Sequence, residues 1–228
     1  RLSELMAPAK TLGVAWGNTV SAVINHIAPH SMPGSTVVQL NGAANAFDSG
    51  TLYSDSIIST LAKAFDSSAV HFPVPAFFDY VETKNALVRE RSIRRVLDVI
   101  DSCDLVVFGV GAMDPAMPSH VYAGGYLSST ELKEAREDGV VGDICTVLIR
   151  EDGTTDMPLN ARASGPLPAQ LKRISTRLCV VAGSAKVPAL LGALRAGVVT
   201  DLIIDSSAAR ALVHRRREAG RGDLPGTL

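Results

Sequence analysis

Seven short apolar runs, each followed by an amphipathic or turn-forming stretch, limit this chain more than any other feature. They cover residues 11–16, 36–40, 69–74, 104–110, 144–149, 178–182 and 201–204. Several, such as LVVFGV and LCVVAG, show no polar alternation. A strand that is apolar on both faces needs cover on both faces, and a parallel sheet wrapped by helices supplies it. Helical patterns occupy 19–27, 54–65, 82–100, 130–137, 187–195 and 206–213. Strands alternating with helices predict an α/β fold: Rossmann-like, with a mostly parallel sheet covered by helices on both faces and right-handed crossovers.

One stretch departs from this alternation. The run 144–149 leads into Glu151-Asp152-Gly153, and Asp-Gly is a favoured hairpin turn. Pro158, Pro166 and Pro168 make the next segment irregular or edge-like. A small antiparallel insertion beside the main sheet is expected here. Residues 214–228 read as a flexible tail, with Arg215-Arg216-Arg217 as a solvated helix end rather than a DNA contact. The globular unit is therefore expected over 1–213. Residues 1–10 are a short lead-in to the first strand, so the chain reads as the trailing part of something longer.

Composition narrows the class. A length of 228 residues suits one large domain or two small ones. Twenty-two Lys+Arg against 23 Asp+Glu leave a formal charge of -1, without the cationic excess of a nucleic-acid binder. No apolar run approaches the ~18 residues that span a bilayer. Cys103, Cys145 and Cys179 lie apart in apolar stretches, which argues against a disulfide framework and against structural zinc. The expectation is a soluble, cytoplasmic chain with no membrane partner.

In open α/β sheets, ligands bind where strands end and helices begin. After the first strand, Gly17-Asn18-Thr19 reads either as an anion cradle of N–H groups and a hydroxyl or as an ordinary helix cap. After the second, Gln39 and Asn41 share a face and Gly42 admits a close ligand; a polar loop with Asx turns accounts for the same residues. Gly111 follows DLVVF at another glycine-permissive end. Asp143, between a glycine-rich loop and an apolar strand, suits either a turn or the reading of sugar hydroxyls. Near the last crossover, Ser184 and Lys186 open a helix. A cation there opposes the helix dipole unless an anion sits beside it, although surface lysines are common. No Gly-x-Ser-x-Gly elbow, His-Glu-x-x-His pair or metal-binding carboxylate cluster occurs, and no nucleophile–base pair can be named from spacing. A ligand cradle without catalytic machinery points to a binding module, with no catalytic residue, metal or cofactor.

The segments LGVAWGNT (12–19), VVQLNGAANA (37–46), RSIRRVLDVIDSCDLVVFGVG (91–111), GYLSSTEL (125–132), GVVGDIC (139–145), LNARASG (159–165) and VVAGSAKVPALLGALRAGVVTDLIID (180–205) occur in one order along the chain. Together they resemble the effector-binding domain of SorC/DeoR-type bacterial transcriptional regulators. The resemblance implies a fold related to sugar-phosphate isomerases and deaminases, kept for binding a phosphorylated sugar without turnover. It implies a phosphate turn at Gly17, Asn18 and Thr19, a second pocket loop at Gln39, Asn41 and Gly42, an acid for hydroxyls at Asp143 and a phosphate lysine at Lys186. It also implies a homodimer or homotetramer, and DNA contact only through an N-terminal helix-turn-helix that this chain lacks.

Two departures from the family pattern matter. Some relatives carry a lysine at the Asn41 position that forms an imine with an open-chain aldose phosphate; asparagine cannot, so non-covalent binding is expected. The family's Ala-Gly-Gly is Ala182-Gly183-Ser184 here, which restricts the loop. The competing reading is an active sugar-phosphate isomerase or deaminase, which needs a base near the substrate carbons and normally a carboxylate–histidine pair. No histidine falls in the matched segments. A third reading is an oligomerisation domain with a degenerate pocket.

Overall fold

The computed structural model describes residues 1–43, 50–114 and 118–219. Its strands are β1 (Thr11–Val14), β2 (Thr36–Gln39), β3 (Ser68–Val70), β4 (Leu105–Phe108), β5 (Val110–Ala112), β6 (Val140–Ile144), β7 (Val147–Arg150), β8 (Thr176–Val181) and β9 (Asp201–Ile204). The helices are α1 (Leu2–Leu5), α2 (Asn18–Ile24), α3 (Gly50–Phe65), α4 (Val81–Leu87), α5 (Arg91–Asp101), α6 (His120–Ala123), α7 (Ser129–Glu137), α8 (Pro168–Leu171), α9 (Val187–Arg195) and α10 (Ser206–Ala219). Six strands form a sheet in the order β3-β2-β1-β4-β8-β9, and every pairing in it is parallel. Strands β5, β6 and β7 make a separate antiparallel sheet. No helix among the described residues is long and apolar enough to cross a membrane.

The missing alternation in the apolar runs has the expected cause. All four residues of β4 are buried. Successive residues of the central strands point to opposite sides of the sheet and feed two separate cores. Val14, Val37, Leu105, Val107 and Leu178 join one core with Val20, Ile58 and Leu61 of α2 and α3. Val38, Val106, Phe108 and Cys179 join the other with Ile93, Ile100 and Leu190 of α5 and α9. The outer strands are less deeply buried: two of the three β3 residues are exposed, and β9 packs Leu202 and Ile204 on the core while Ile203 is 43% exposed.

The antiparallel insertion exists, but its turn lies elsewhere than expected. The run 144–149 is not one strand: it is cut by a two-residue turn at Cys145-Thr146 that joins β6 to β7. Both turn residues have positive φ, 49° and 70°. That is the conformation of tight hairpin turns and normally calls for Asn or Gly. Cys145 and Thr146 are buried, at 4% and 1% exposure, so the turn carries core residues and reads in sequence as strand. Residues 140–143, expected as loop, are strand, while Asp152-Gly153 is a turn closing β7, with the Gly153 N–H donating to the Arg150 carbonyl at 3.0 Å.

Three further boundaries differ. The run 104–110 divides at Gly109, where the chain leaves the parallel sheet for β5. The expected helix 82–100 is two helices. Ile93, Val96, Leu97 and Ile100 form one apolar stripe, but the positions that would extend it backward hold Arg89 and Glu90. Helix α10 continues past residue 213 to Ala219, with Arg215 bonded to Glu151 at 2.7 Å; residues 220–228 of the expected tail lie outside the described residues.

Truncating Phe108, fully buried, to Ala should cost about 3–5 kcal/mol of unfolding free energy. Ile203→Ala, at the exposed position of strand β9, should cost under about 1 kcal/mol. Urea denaturation of the two variants checks the difference.

Candidate functional site

The order of the parallel sheet reverses between β1 and β4. From β1 the chain moves outward through β2 and β3, and from β4 it moves the other way through β8 and β9. The connections at the carboxyl ends of β1 and β4 therefore part and leave a crevice. A cavity of about 370 Å³ lies there. Gly17, Asn18, Thr19, Asn41, Gly111, Asp143 and Lys186 all border it, although they come from five separated parts of the chain.

The turn after β1 begins at Gly17, with φ 157° and ψ 155°. This backbone region is essentially reserved for glycine, and it swings the chain from strand into α2. Thr19 then accepts a hydrogen bond from the Lys186 ammonium, Nζ to Oγ1, at 2.9 Å. Lys186 stands one residue before α9, in the 3₁₀ turn Ser184–Lys186. Burial lowers its pKa, opposed by the charge of Asp143. A half-buried cation at the start of a helix is held against both solvation and the helix dipole.

Asp143 reaches the cavity because of β pairing. On β6 it sits opposite Gly111 of β5. A side chain at Gly111 would place its Cβ 1.8 Å from the Asp143 Oδ1, so only glycine lets the carboxylate lie across the neighbouring strand. Its Oδ2 accepts the Thr146 N–H from the tight turn at 3.1 Å. Its Oδ1 is buried with no well-aligned hydrogen-bond partner among the described residues, and the Tyr122 hydroxyl, itself buried, lies close enough to the carboxylate to act on its ionisation. Burial pushes the Asp143 carboxyl up to about 6, with the Thr146 N–H, Tyr122 and Lys186 pulling it down. Asn41, 1% exposed, likewise points an Oδ1 with no partner among the described residues. The cavity thus pairs two buried acceptors with one ammonium, and such groups call for a ligand bearing both hydroxyl donors and an anion.

Three of the expected residues do not line this cavity. Gln39 is 2% exposed, and its amide is used internally: it donates to the Asn41 carbonyl at 2.8 Å and accepts the Phe72 N–H at 3.2 Å. Gly42 packs against the Val74 and Pro75 carbonyls, which a Cβ would meet at 2.2 and 2.4 Å, so its smallness serves chain packing. Its N–H donates to Ser164 at 2.9 Å. Ser184 is exposed and does not border the cavity. Residues 44–46 of the second matched segment lie outside the described residues.

An aromatic group at the cavity escaped the sequence reading. Trp16 donates its indole N–H to the Gly42 carbonyl at 2.9 Å, stacks on Tyr126 with centroids 5.8 Å apart and meets His120 edge-on at 5.7 Å. Trp16 and His120 both line the cavity, so the site does hold a histidine, from outside the matched segments. The one tryptophan of the chain, placed between a strand end and the Gly17 turn, was the available signal. No group of three or more His, Cys, Asp or Glu that could hold a metal occurs among the described residues. Cys145 also borders the cavity, but burial and the nearby Asp143 charge hold its thiol well above the ordinary cysteine range.

Comparisons with known proteins bear on the family and the fold. Residues 1–214 match the family described as "Putative sugar-binding domain". The chain is 30% identical over 215 residues to the deoxyribonucleoside regulator of Bacillus subtilis (strain 168), covering 93% of this chain and 67% of that protein. It spans about two thirds of the length of the curated relatives it matches. Among solved structures, a domain of a possible sugar-binding transcriptional regulator from Arthrobacter aurescens TC1 superposes with a TM-score of 0.87 at 42% identity, over 93% of this chain and 81% of that one. A DeoR family transcriptional regulator from Listeria monocytogenes gives 0.80 at 29% identity, over 92% and 82%.

The buried carboxylate has a measurable cost. Its folded pKa of about 6 lies above the ordinary 3.8, so the folded state binds more protons between those values. Its contribution to stability is fully present below about 3.8 and is lost as pH rises through 6. Asp143→Asn should therefore be more stable than the parent at pH 7.5, by up to about 3 kcal/mol. The advantage should vanish below pH 4. Chemical denaturation of both proteins from pH 4 to 8 reads the difference directly.

Proposed function

We propose, because the chain belongs to the sugar-binding domain family, that it is the effector-binding part of a transcriptional regulator and senses a phosphorylated sugar without turning it over. The observation that carries this reading is the cavity that combines the buried Oδ1 atoms of Asn41 and Asp143 with the Lys186 ammonium. In this reading the phosphate sits on the Gly17-Asn18-Thr19 turn and takes charge-assisted hydrogen bonds from Lys186. The sugar hydroxyls donate to Asn41 and Asp143, and an apolar face of the sugar lies toward Trp16. Gln39 and Gly42 support the wall rather than touch the ligand, and Ser184 lies outside the cavity.

Binding is non-covalent at position 41, since an amide forms no imine. The Cys145 thiol is held protonated by its surroundings and supplies no nucleophile. His120 and Asp143 share the cavity, and this favours one alternative, an isomerase or deaminase reaction with Asp143 as base. The non-catalytic reading is preferred because the relatives are named as regulators.

Regulation follows from linkage. The domain assembles as a homodimer or homotetramer, and an effector that binds one arrangement better shifts the population toward it. DNA, read by a separate domain of the regulator, is then bound more or less tightly by the same coupling free energy.

A thermal-shift and denaturation screen with mono- and bisphosphorylated sugars tests the reading, with the free sugars as controls. One phosphorylated sugar at about 100 times its Kd should add about 2.7 kcal/mol of stability. Lys186→Ala should lose that gain, and the free sugar should give little of it. Stabilisation by no phosphorylated sugar, or by free and phosphorylated forms alike, would overturn the proposal. Product formation from any panel member, abolished in Asp143→Asn, would establish the enzyme instead.

A further inference from the structure

A second, larger cavity of about 540 Å³ lies on the other side of the backbone that walls the first. The chain alternates there: Asn41 borders the first cavity and Leu40 the second. The second is bounded by α4, α5 and the segment leading from β7 to α8. Its inner wall is apolar, made by Leu40, Phe72, Val74, Phe78, Leu97 and Ile100. Phe72, Val74 and Phe78 are each under 10% exposed.

The lining contains one cation, Lys84 of α4. Its ammonium donates to the Ala161 carbonyl at 3.1 Å, and no carboxylate pairs with it among the described residues. Burial lowers its pKa with no neighbouring charge acting the other way. The two acids on the lining do not neutralise it: Asp156 is bonded to Arg150, and Asp101 is exposed at the end of α5. Lys84 is partly buried while its ammonium hydrogen bond is exposed, and a cation on the lining of an apolar cleft has charge complementarity with an anion on an apolar body.

We propose that this cleft is a binding site for a small apolar monocarboxylate, with the hydrocarbon against Phe72, Phe78 and Leu97 and the carboxylate on Lys84. The site is distinct from the sugar-phosphate cavity in lining and in chemistry. A sugar phosphate is too polar for the Leu40–Phe78 wall, and an acyl or arylalkyl chain leaves the Asn41 and Asp143 acceptors unmet. The inference does not depend on what the first cavity binds.

The test uses octanoate and 3-phenylpropionate as probes, with octan-1-ol as the uncharged control, in calorimetric titrations of the whole chain. Saturable binding of one carboxylate is expected, weakened at least tenfold in Lys84→Met, whereas octan-1-ol should bind the two proteins equally. Leu97→Trp, which fills the cleft, should abolish binding of all three probes. Which carboxylate binds separates an acyl-chain ligand from an aromatic acid. No saturable binding of either carboxylate, or equal affinity in Lys84→Met, would overturn the proposal. Lys84 lies on a helix with no buried residue, so that substitution leaves the fold a fair control.

Discussion

Two parallel strands that leave their sheet in opposite directions cannot close over their own carboxyl ends. That constraint, met between β1 and β4, generates most of what is distinctive here. The crevice brings the turn after β1 to the antiparallel excursion that begins just after β4. The small sheet is therefore the third wall of the cavity, and β6 exists to carry a carboxylate to a point the parallel strands do not reach. Gly109 makes the departure and Gly111 clears the space, so a few residues after one buried strand decide where charge enters an otherwise apolar interior.

That interior is held in an electrostatically unfinished state. Asp143 and Lys186 influence each other's ionisation but form no direct ion pair among the interactions described, and each is displaced from its ordinary pKa chiefly by lost solvation. Protein that is preorganised in this way forgoes stability in the empty state and recovers it when a complementary ligand supplies the missing donors and charge. The aromatic group of Trp16, Tyr126 and His120 holds the surrounding wall in place. The indole N–H is committed to a backbone carbonyl, which fixes the ring against that wall.

The layered architecture was legible because it follows from a rule with few exceptions: apolar runs without alternation need two covered faces. Val106 and Val107 show the rule acting at single-residue level, since neighbours in one run feed opposite cores. Thr19, Asn41, Asp143 and Lys186 were legible only in part: each had an ordinary cap, turn or surface reading as well, and the ordered set of matching segments is what singled them out. Gln39 failed only in three dimensions. Its alternation with Asn41 is real, but the Phe72 N–H, distant in sequence, claims its carbonyl oxygen. His120 was not legible, because it comes from a short helix outside every periodic segment. The hairpin was misplaced because burial, not turn propensity, chose the residues of its turn.

That turn ties together positions far apart in the chain. Cys145 and Thr146 adopt left-handed backbone angles; the Thr146 N–H holds Asp143, and the Cys145 carbonyl leans against Gly165, where a Cβ would come within 1.7 Å. Asn-Gly would suit the angles better, yet it would remove two buried side chains from the core. Any side chain at 165 would push on the carbonyl and, through the turn, on the N–H that positions the acid. Among diverging copies of this domain, positions 111, 143, 145, 146 and 165 are therefore bound to change as a set. The wall of the pocket that carries the acid is thus replaced only by a coordinated change.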